Sequence, residues 1–307
     1  MATVRKMKIR IKWKNLITFL VFTFLLIFGI TQIIVCIVKA VNPPKKIKEK
    51  QIVAKKINTN KEIKLNKLEN IDKEIDYFNM NYLDRYVLYK EKNYEMPIKQ
   101  VIKNVNMNLD KDFYKNPVQA KNLNTEKILV NKYYYLEKDY VPNNLEPIST
   151  RFALSNMKMV NTAKTAFEEM ASAAKKEGLS IIAMSTYRSY DYQVNLYNKY
   201  VRSDGQSKAD TYSGRPGHSE HQTGLAVDVY NGKENYTNFE RTKEFIWMKN
   251  HAHEYGFILR FPKDKESETG YTYESWHYRY VGKDIAKYIK EHNISFEEYY
   301  ATIIKDW

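Results

Sequence analysis

The chain has 307 residues, of which 43% are hydrophobic, enough for a packed core, so a wholly disordered protein is excluded. It contains a single Cys, which excludes a disulfide framework and every multi-Cys metal site, so a bound metal would need His and carboxylate ligands. The formal net charge is +14, but residues 151–307 hold 22 basic and 21 acidic residues. Because the basic excess lies in residues 1–150, we expect no nucleic-acid partner.

The N-terminal region carries the pattern of a membrane anchor. Residues 16–38 form a run of 23 residues without a charge, long enough for a helix to cross a bilayer core of about 30 Å. The basic residues of segment 1–15 precede this run, and such residues stay on the cytoplasmic side. We therefore predict a cytoplasmic tail over 1–15 and one transmembrane helix over 16–38, with the remaining chain outside the cell. A cleaved signal peptide is the alternative, although its apolar region usually has about 7–15 residues.

A Lys-rich segment over residues 39–70 follows the apolar run. It contains no aromatic residue, and Pro43 and Pro44 interrupt any continuous helix from the membrane. Two interpretations stay open, a cationic stalk near anionic lipid or wall polymer and a solvated spacer. Aromatic residues return after residue 70, and we predict that 71–127 is an accessory segment packing on a principal domain over 128–307.

The principal domain mixes helices with short strands. Residues 155–177 predict an amphipathic helix, because apolar side chains recur at steps of three and four residues and Gly178 supplies a stop. The other predicted elements are strands over 179–185, 224–230, 257–261 and 275–281, and helices from Ser189, over about 240–254 and from Ser295. No strict βαβ repeat and no glycine-rich phosphate loop occur in the sequence, so the pattern indicates an α+β fold.

Two short segments, 217–228 and 271–277, concentrate the reactive side chains. His221, Asp228 and His277 offer two imidazoles and one carboxylate, and catalytic zinc sites use three such protein ligands. Glu274 stands three residues before His277, close enough to take a proton from water at such a site without being a ligand. Spacing alone does not decide the matter, because there is no His-Glu-x-x-His motif and His and Asp are common in loops.

The combined pattern resembles the VanY-type D-alanyl-D-alanine carboxypeptidases, zinc enzymes of the bacterial cell wall. It reads Ser-x-His-x-x-Gly-x-Ala-x-Asp over residues 219–228 and Glu-x-x-His over 274–277, with similar flanks, and the likeness spans about residues 128–301. The resemblance implies the α+β fold shared with hedgehog signalling domains, in which helices pack on a small, mostly antiparallel sheet. It also implies one zinc ion on His221, Asp228 and His277, with Glu274 as the base.

The same family pattern implies a set of residues around the C-terminal residue of the peptide: Arg188, Gln193, Ser219 and Tyr271. A guanidinium binds a carboxylate through two charge-assisted hydrogen bonds, so Arg188 suits a carboxypeptidase. It could instead stabilise the tetrahedral oxyanion, and both roles stay open. Gln193, Ser219 and Tyr271 also admit an ordinary helix, cap or packing role. For His218 we favour a loop-fixing role, and for His251 and His253 a structural one.

We therefore expect a single-pass membrane protein whose extracellular zinc domain removes the C-terminal D-alanine from peptidoglycan stem peptides. One alternative keeps the metal chemistry but changes the bond, giving an L,D-carboxypeptidase on tetrapeptide stems or, less favoured, an endopeptidase. The other alternative is a non-catalytic wall-binding or signalling module. Such a module would lack a ligand or the base, whereas this sequence keeps all three predicted ligands and the base. The sequence does not set the oligomeric state.

Overall fold

In a computed structural model, the structure describes residues 28–33, 37 and 71–306. Residues 28–33 and residue 37 are helical and belong to a unit, Met1–Asn70, that is distinct from the unit Ile71–Trp307. The predicted basic tail, the Lys-rich segment and most of the predicted transmembrane run lie outside the described residues. Within the described ranges, no helix is both long and apolar enough to cross a bilayer.

The unit from Ile71 onward combines helices with short strands. The helices, in chain order, are α1 (Ile71–Glu74), α2 (Leu83–Lys92), α3 (Ile98–Asn106), α4 (Asn161–Lys176), α5 (Tyr190–Asp204), α6 (Gln206–Tyr212), α7 (Lys243–His251), α8 (Glu266–Thr269), α9 (Lys283–His292) and α10 (Phe296–Tyr299). The strands are β1 (Val118–Gln119), β2 (Tyr134–Tyr135), β3 (Leu145–Pro147), β4 (Lys158–Val160), β5 (Ile182–Ser185), β6 (Ala226–Tyr230), β7 (Phe257–Leu259) and β8 (His277–Tyr280).

The first three helices form a small apolar cluster of their own. Helix α3 buries Val101, Ile102 and Val105, because these side chains recur at helical spacing on one face. The Arg85 guanidinium of α2 forms an ion pair with Asp110, in which Nη2 donates to Oδ1 at 2.6 Å. The cluster contacts the C-terminal end of the chain, where Lys103 Nζ donates to Glu298 Oε1 at 2.6 Å.

A four-stranded antiparallel sheet with the order β5-β6-β8-β7 is the centre of the unit. Side chains alternate between its faces. Val227, Val229 and Tyr278 are fully buried in the same core cluster as the apolar face of α4. The intervening Asp228 and the adjacent His277 lie on the other face and line a cleft. The fold is thus a mixed arrangement of helices on a small sheet, as the sequence pattern indicates.

The amphipathic helix predicted over 155–177 begins later than expected, at Asn161. Residues 158–160 instead form β4, which pairs antiparallel with β3. The helix ends at Lys176, and Gly178 adopts a left-handed conformation with φ +78°, as its role as a stop requires. The apolar periodicity therefore predicted the body of the helix correctly. The predicted start was wrong, because residues 158–160 pair with β3 as a strand instead of forming the first helical turn.

Gly224 connects the 3₁₀ turn Glu220–Thr223 to strand β6. Its φ is +68°, in the left-handed region that favours glycine. A Cβ atom here would meet Leu145 Cδ2 at 2.9 Å and Val160 Cγ2 at 3.1 Å, so these side chains of the β3-β4 hairpin would have to shift to admit it. Gly224 thereby fixes how the turn containing His221 approaches the strand containing Asp228.

We predict that Gly224→Ala lowers the free energy of unfolding of residues 71–307 by about 2–5 kcal/mol in urea titration. Left-handed backbone costs an L-residue about 1–2 kcal/mol, and overpacking adds about 1–3 kcal/mol. Gly178→Ala is the matched control, because Gly178 has φ +78° and nothing within 4 Å of a built Cβ. Equal losses in the two variants would show that close packing at Gly224 contributes nothing.

Candidate metal centre and active site

His221, Asp228 and His277 form a buried cluster on the cleft face of the sheet. One candidate ligand atom from each lies within 4.8 Å of the others. His221 Nε2 lies 3.3 Å from Asp228 Oδ2, and His277 Nδ1 lies 3.2 Å from Asp228 Oδ1. The register explains this convergence, because Asp228 on β6 is paired directly with His277 on β8. The structure therefore brings together the three residues that the sequence predicts as ligands.

Hydrogen bonding determines which nitrogen of His221 faces the cluster. Its Nδ1 lies 2.7 Å from the carbonyl oxygen of Thr186. A carbonyl only accepts, so Nδ1 carries the proton and donates it. Nε2 then has a free lone pair on the side of Asp228. In metalloproteins a ligating histidine commonly has its other N–H held in this way.

The residues present fit a zinc ion. Two imidazoles and one carboxylate are a donor set that catalytic zinc takes. Asp228 Oδ1 is buried and accepts no hydrogen bond from the protein. An orphaned carboxylate oxygen in a buried site is costly unless a positive partner pairs with it. A cation held by His221, Asp228 and His277 would supply that partner.

The electrostatics of the cluster also favour a cation. Burial lowers the pKa of His277, but the nearby carboxylates of Asp228, Glu220 and Glu274 outweigh burial and raise that pKa well above its ordinary value. For His221, burial and the nearby Arg188 lower the pKa to about 4, against the opposing effect of Asp228. The imidazole of His277 thus faces three carboxylates, whereas the imidazole of His221 is kept neutral by its lowered pKa.

Glu274 lies beside the cluster but outside the group of three. Its Oε2 is 3.4 Å from His277 Nδ1, and its backbone N–H donates to the carbonyl of Phe261 at 3.1 Å. Burial raises the pKa of the Glu274 carboxyl, and the neighbouring His277 only partly offsets this. A buried carboxyl with a raised pKa next to a metal site is the arrangement expected of a general base.

Arg188 extends from the end of β5 to the same cluster. Its Nη2 donates to Asp228 Oδ2 at 2.6 Å and to Ser185 Oγ at 2.6 Å, and its Nε donates to Ser185 Oγ at 2.9 Å. Its backbone N–H donates to the carbonyl of His221 at 3.1 Å. The guanidinium is therefore held next to the predicted metal ligands, and Nη1 donates in none of these hydrogen bonds.

A cleft of about 610 Å³ opens above the cluster, and all the sequence-predicted site residues line it. Gln193 Nε2 donates to the Gly214 carbonyl at 2.8 Å, while its buried Oε1 has no hydrogen-bond partner. The buried hydroxyl of Tyr271 also has none. Ser219 is buried immediately before the 3₁₀ turn. The structure places these groups in the cleft, and their contacts with a peptide stay predictions.

His218 fits the loop-fixing interpretation. Its Nδ1 lies 2.8 Å from the Asn131 carbonyl oxygen, and its ring packs edge-on against Tyr114. His251 pairs with Glu254 at a helix end outside the cleft lining.

Sequence reasoning identified only Gln193 in the wall of the cleft that α5 forms. Six further residues of this helix line the cleft: Tyr192, Leu196, Lys199, Tyr200, Ser203 and Asp204. Their spacing of four, three, one, three and one residues is that of one side of a helix, a signal already present in the sequence. The adjacent face of α5 is the one that packs inward, with Tyr197 buried. Helix α5 therefore packs one side against the rest of the unit and lines the cleft with the other.

Comparison with known proteins supports one family. Residues 156–283 match the VanY family model, described as D-alanyl-D-alanine carboxypeptidase. The putative carboxypeptidase YodJ of Bacillus subtilis is 41% identical over 184 residues, which cover 58% of this chain and 67% of YodJ. The D-alanyl-D-alanine carboxypeptidase of Enterococcus faecium is 32% identical over 239 residues, which cover 73% of this chain and 74% of the Enterococcus faecium protein. The chain belongs to the VanY family.

Two solved structures extend this relationship. The LdcB LD-carboxypeptidase aligns with 39% identity and a TM-score of 0.58, over 62% of this chain and 94% of LdcB. A VanY-type D,D-pentapeptidase variant in complex with Zn(II) aligns with 30% identity and a TM-score of 0.50, over 57% of this chain and 98% of the pentapeptidase chain. The VanY family fold and its zinc chemistry therefore apply to this chain, which is a zinc metallopeptidase.

Proposed function

We propose that this protein is a zinc-dependent D,D-carboxypeptidase that removes the C-terminal D-alanine from peptidoglycan stem peptides. The observation that carries the proposal is the buried group of His221, Asp228 and His277, within 4.8 Å of one another in a large cleft, with Glu274 beside it. The related Enterococcus faecium protein is itself a D-alanyl-D-alanine carboxypeptidase.

The reaction requires a new C–O bond at the scissile carbonyl and cleavage of its C–N bond. When bound by His221, Asp228 and His277, zinc would polarise that carbonyl and lower the pKa of the attacking water towards about 7. Glu274 accepts the proton that the water gives up and then passes it to the amine of the leaving D-alanine. Because its carboxyl pKa is raised, Glu274 is better suited to return the proton than an exposed carboxylate.

Arg188 is proposed to stabilise the oxyanion that forms at the carbonyl. Its Nη2 is 2.6 Å from Asp228 Oδ2, so the guanidinium lies at the metal cluster. A fixed positive charge at the place where negative charge develops lowers the barrier without reorganisation. We propose that Gln193, Ser219 and Tyr271, the other predicted peptide-binding groups of the cleft, surround the terminal residue.

A second candidate keeps the same chemistry but cuts a different bond. The likeness to the LdcB LD-carboxypeptidase, with a TM-score of 0.58 at 39% identity, favours an L,D-carboxypeptidase acting on tetrapeptide stems. The two activities differ in the configuration of the residue before the scissile bond. The metal group and the base serve either one equally, so the distinction depends on the walls of the cleft.

Released D-alanine provides the test. Residues 71–307 are offered pentapeptide stems, tetrapeptide stems and C-terminally amidated pentapeptides, each with and without chelator. We expect release from free pentapeptides that chelator abolishes and Zn²⁺ restores. Release from tetrapeptides alone would transfer the assignment to the L,D activity. Equal release of D-alaninamide from the amidated peptides, or full activity in a verified metal-free preparation, would contradict the zinc carboxypeptidase itself.

We predict that Glu274→Gln separates binding from chemistry. The amide keeps the shape of the side chain but cannot accept a proton, so turnover should fall by roughly 10²–10⁴ while zinc content stays near one per chain. His277→Ala removes a ligand and should lose zinc and turnover together. Zinc content is measured by atomic absorption, and circular dichroism checks the fold of both variants. Loss of zinc from Glu274→Gln would make Glu274 a ligand.

We also propose that residues 16–38 anchor the enzyme in the cell membrane, with the catalytic unit outside. The support is the uncharged 23-residue run and its basic N-terminal flank. The substrate class is consistent with this, because peptidoglycan lies outside the membrane. Protease added to intact cells should remove residues 71–307 and spare the N-terminal tail. A protected catalytic unit in intact cells, cleaved only after lysis, would contradict this topology.

A further inference from the structure

Glu220 is a fully buried carboxylate directly before the predicted ligand His221. One of its oxygens, Oε1, accepts from two guanidinium groups, Arg260 Nε at 2.8 Å and Arg279 Nη1 at 2.9 Å. The exposed fraction of its side chain is 2%, and those of both arginine side chains are 0%. A carboxylate held by two buried cations is ionised, and its orientation is fixed.

Both arginines are themselves held in place from other parts of the chain. Arg260 donates through Nη1 and Nη2 to the two carboxylate oxygens of Glu297 on α10, at 2.8 and 2.6 Å. Arg279 Nη2 donates to the carbonyl of Ile128 at 2.7 Å. Two negative and two positive groups thus form one buried network in which Glu220 is the member adjacent to the active site.

The second oxygen of Glu220 has no hydrogen-bond partner. This atom, Oε2, lies 3.7 Å from His277 Nε2, which is also buried and also has no partner. An orphaned acceptor therefore faces an orphaned donor site in a buried location, where each unpaired group is costly. Closing the gap to an ordinary charge-assisted length of 2.7–2.9 Å requires a movement of about 1 Å.

The two nitrogens of His277 face different partners. Nδ1 lies 3.2 Å from Asp228 Oδ1 and 3.4 Å from Glu274 Oε2, on the side of the metal cluster. Nε2 lies on the side of Glu220. A metal ligand needs a lone pair on Nδ1, so the single proton of the neutral ring has to be on Nε2.

We propose that Glu220 is a positioning residue for zinc: its Oε2 accepts the Nε2–H of His277 and so keeps the Nδ1 lone pair directed at the metal. This inference rests on the proposed ligand role of His277. A purely structural role, in which Glu220 neutralises two buried arginines, explains the contacts of Oε1 but leaves Oε2 unexplained.

Glu220→Gln reverses this arrangement without changing the shape of the side chain. The amide oxygen has to face Arg260 and Arg279, because both only donate. The amide NH₂ then faces His277 Nε2 and can only donate to it, which favours the tautomer with the proton on Nδ1. That proton occupies the lone pair that zinc needs.

The test compares Glu220→Gln with Glu297→Gln, which removes one negative charge from the same network but does not contact His277. Zinc affinity is measured by chelator competition, and circular dichroism and melting temperature report folding. Glu220→Gln should bind zinc 10–100-fold more weakly than the native protein, the usual effect of losing an outer partner of a ligand. Glu297→Gln should lower the melting temperature and leave zinc affinity unchanged. Equal zinc affinities in the two variants would reduce Glu220 to a charge partner of the arginines.

A second measurement needs only the native protein and decides the matter even if Glu220→Gln does not fold. Imidazole ¹⁵N spectra of the zinc-loaded chain should show His277 protonated at Nε2 and metallated at Nδ1. A proton on Nδ1, or metal on Nε2, would overturn the inference. Failure of the native chain to bind zinc would instead contradict the proposed function, so the two failures are distinguishable.

Discussion

The pairing of β6 with β8 is the constraint on which the site depends. Asp228 opposite His277 sets two of the proposed metal ligands on one face, while Val227 and Tyr278, the next pair, face the core. Since side chains alternate along a strand, a slip of one residue would send the carboxylate into the core and a valine into the cleft. The burial of Val227, Val229 and Tyr278 therefore determines which side chains of these strands face the cleft.

Charge compensation behind and around this pair explains how so many ionisable groups stay buried. Asp228 is shared between two histidines and Arg188, and its pKa lies well below its ordinary value despite burial. Glu220 has a similarly lowered pKa because Arg260 and Arg279 outweigh the effect of burial. Each carboxylate near the metal cluster thus has a specific cationic or imidazole neighbour, and buried charges are tolerated when paired in this way.

The sequence predicted the parts of the molecule that depend on local patterns. Strand β6 and the cap of α10, where Ser295 Oγ accepts from the Glu298 backbone N–H, follow from alternation and from capping spacing. The pair β3-β4 was missed because three-residue strands show no periodicity, and it displaced the predicted start of α4. The neighbours of Glu220 lie 40 and 59 residues away, so only the fold could reveal them.

The link from Glu220 through Arg260 to Glu297 has a consequence for where the catalytic unit ends. The family match stops at residue 283, whereas the carboxylate that pairs with Arg260 is on α10, beyond that boundary. A fragment cut at the motif limits would keep every proposed ligand and the base, yet it would remove the carboxylate that accepts from Nη1 and Nη2 of Arg260. Removing one partner of a buried ion pair costs about 3–5 kcal/mol, a large part of a domain's total stability. The stable catalytic unit is thus longer than its signature, because the Glu297 carboxylate on α10 compensates a charge in the interior of that unit.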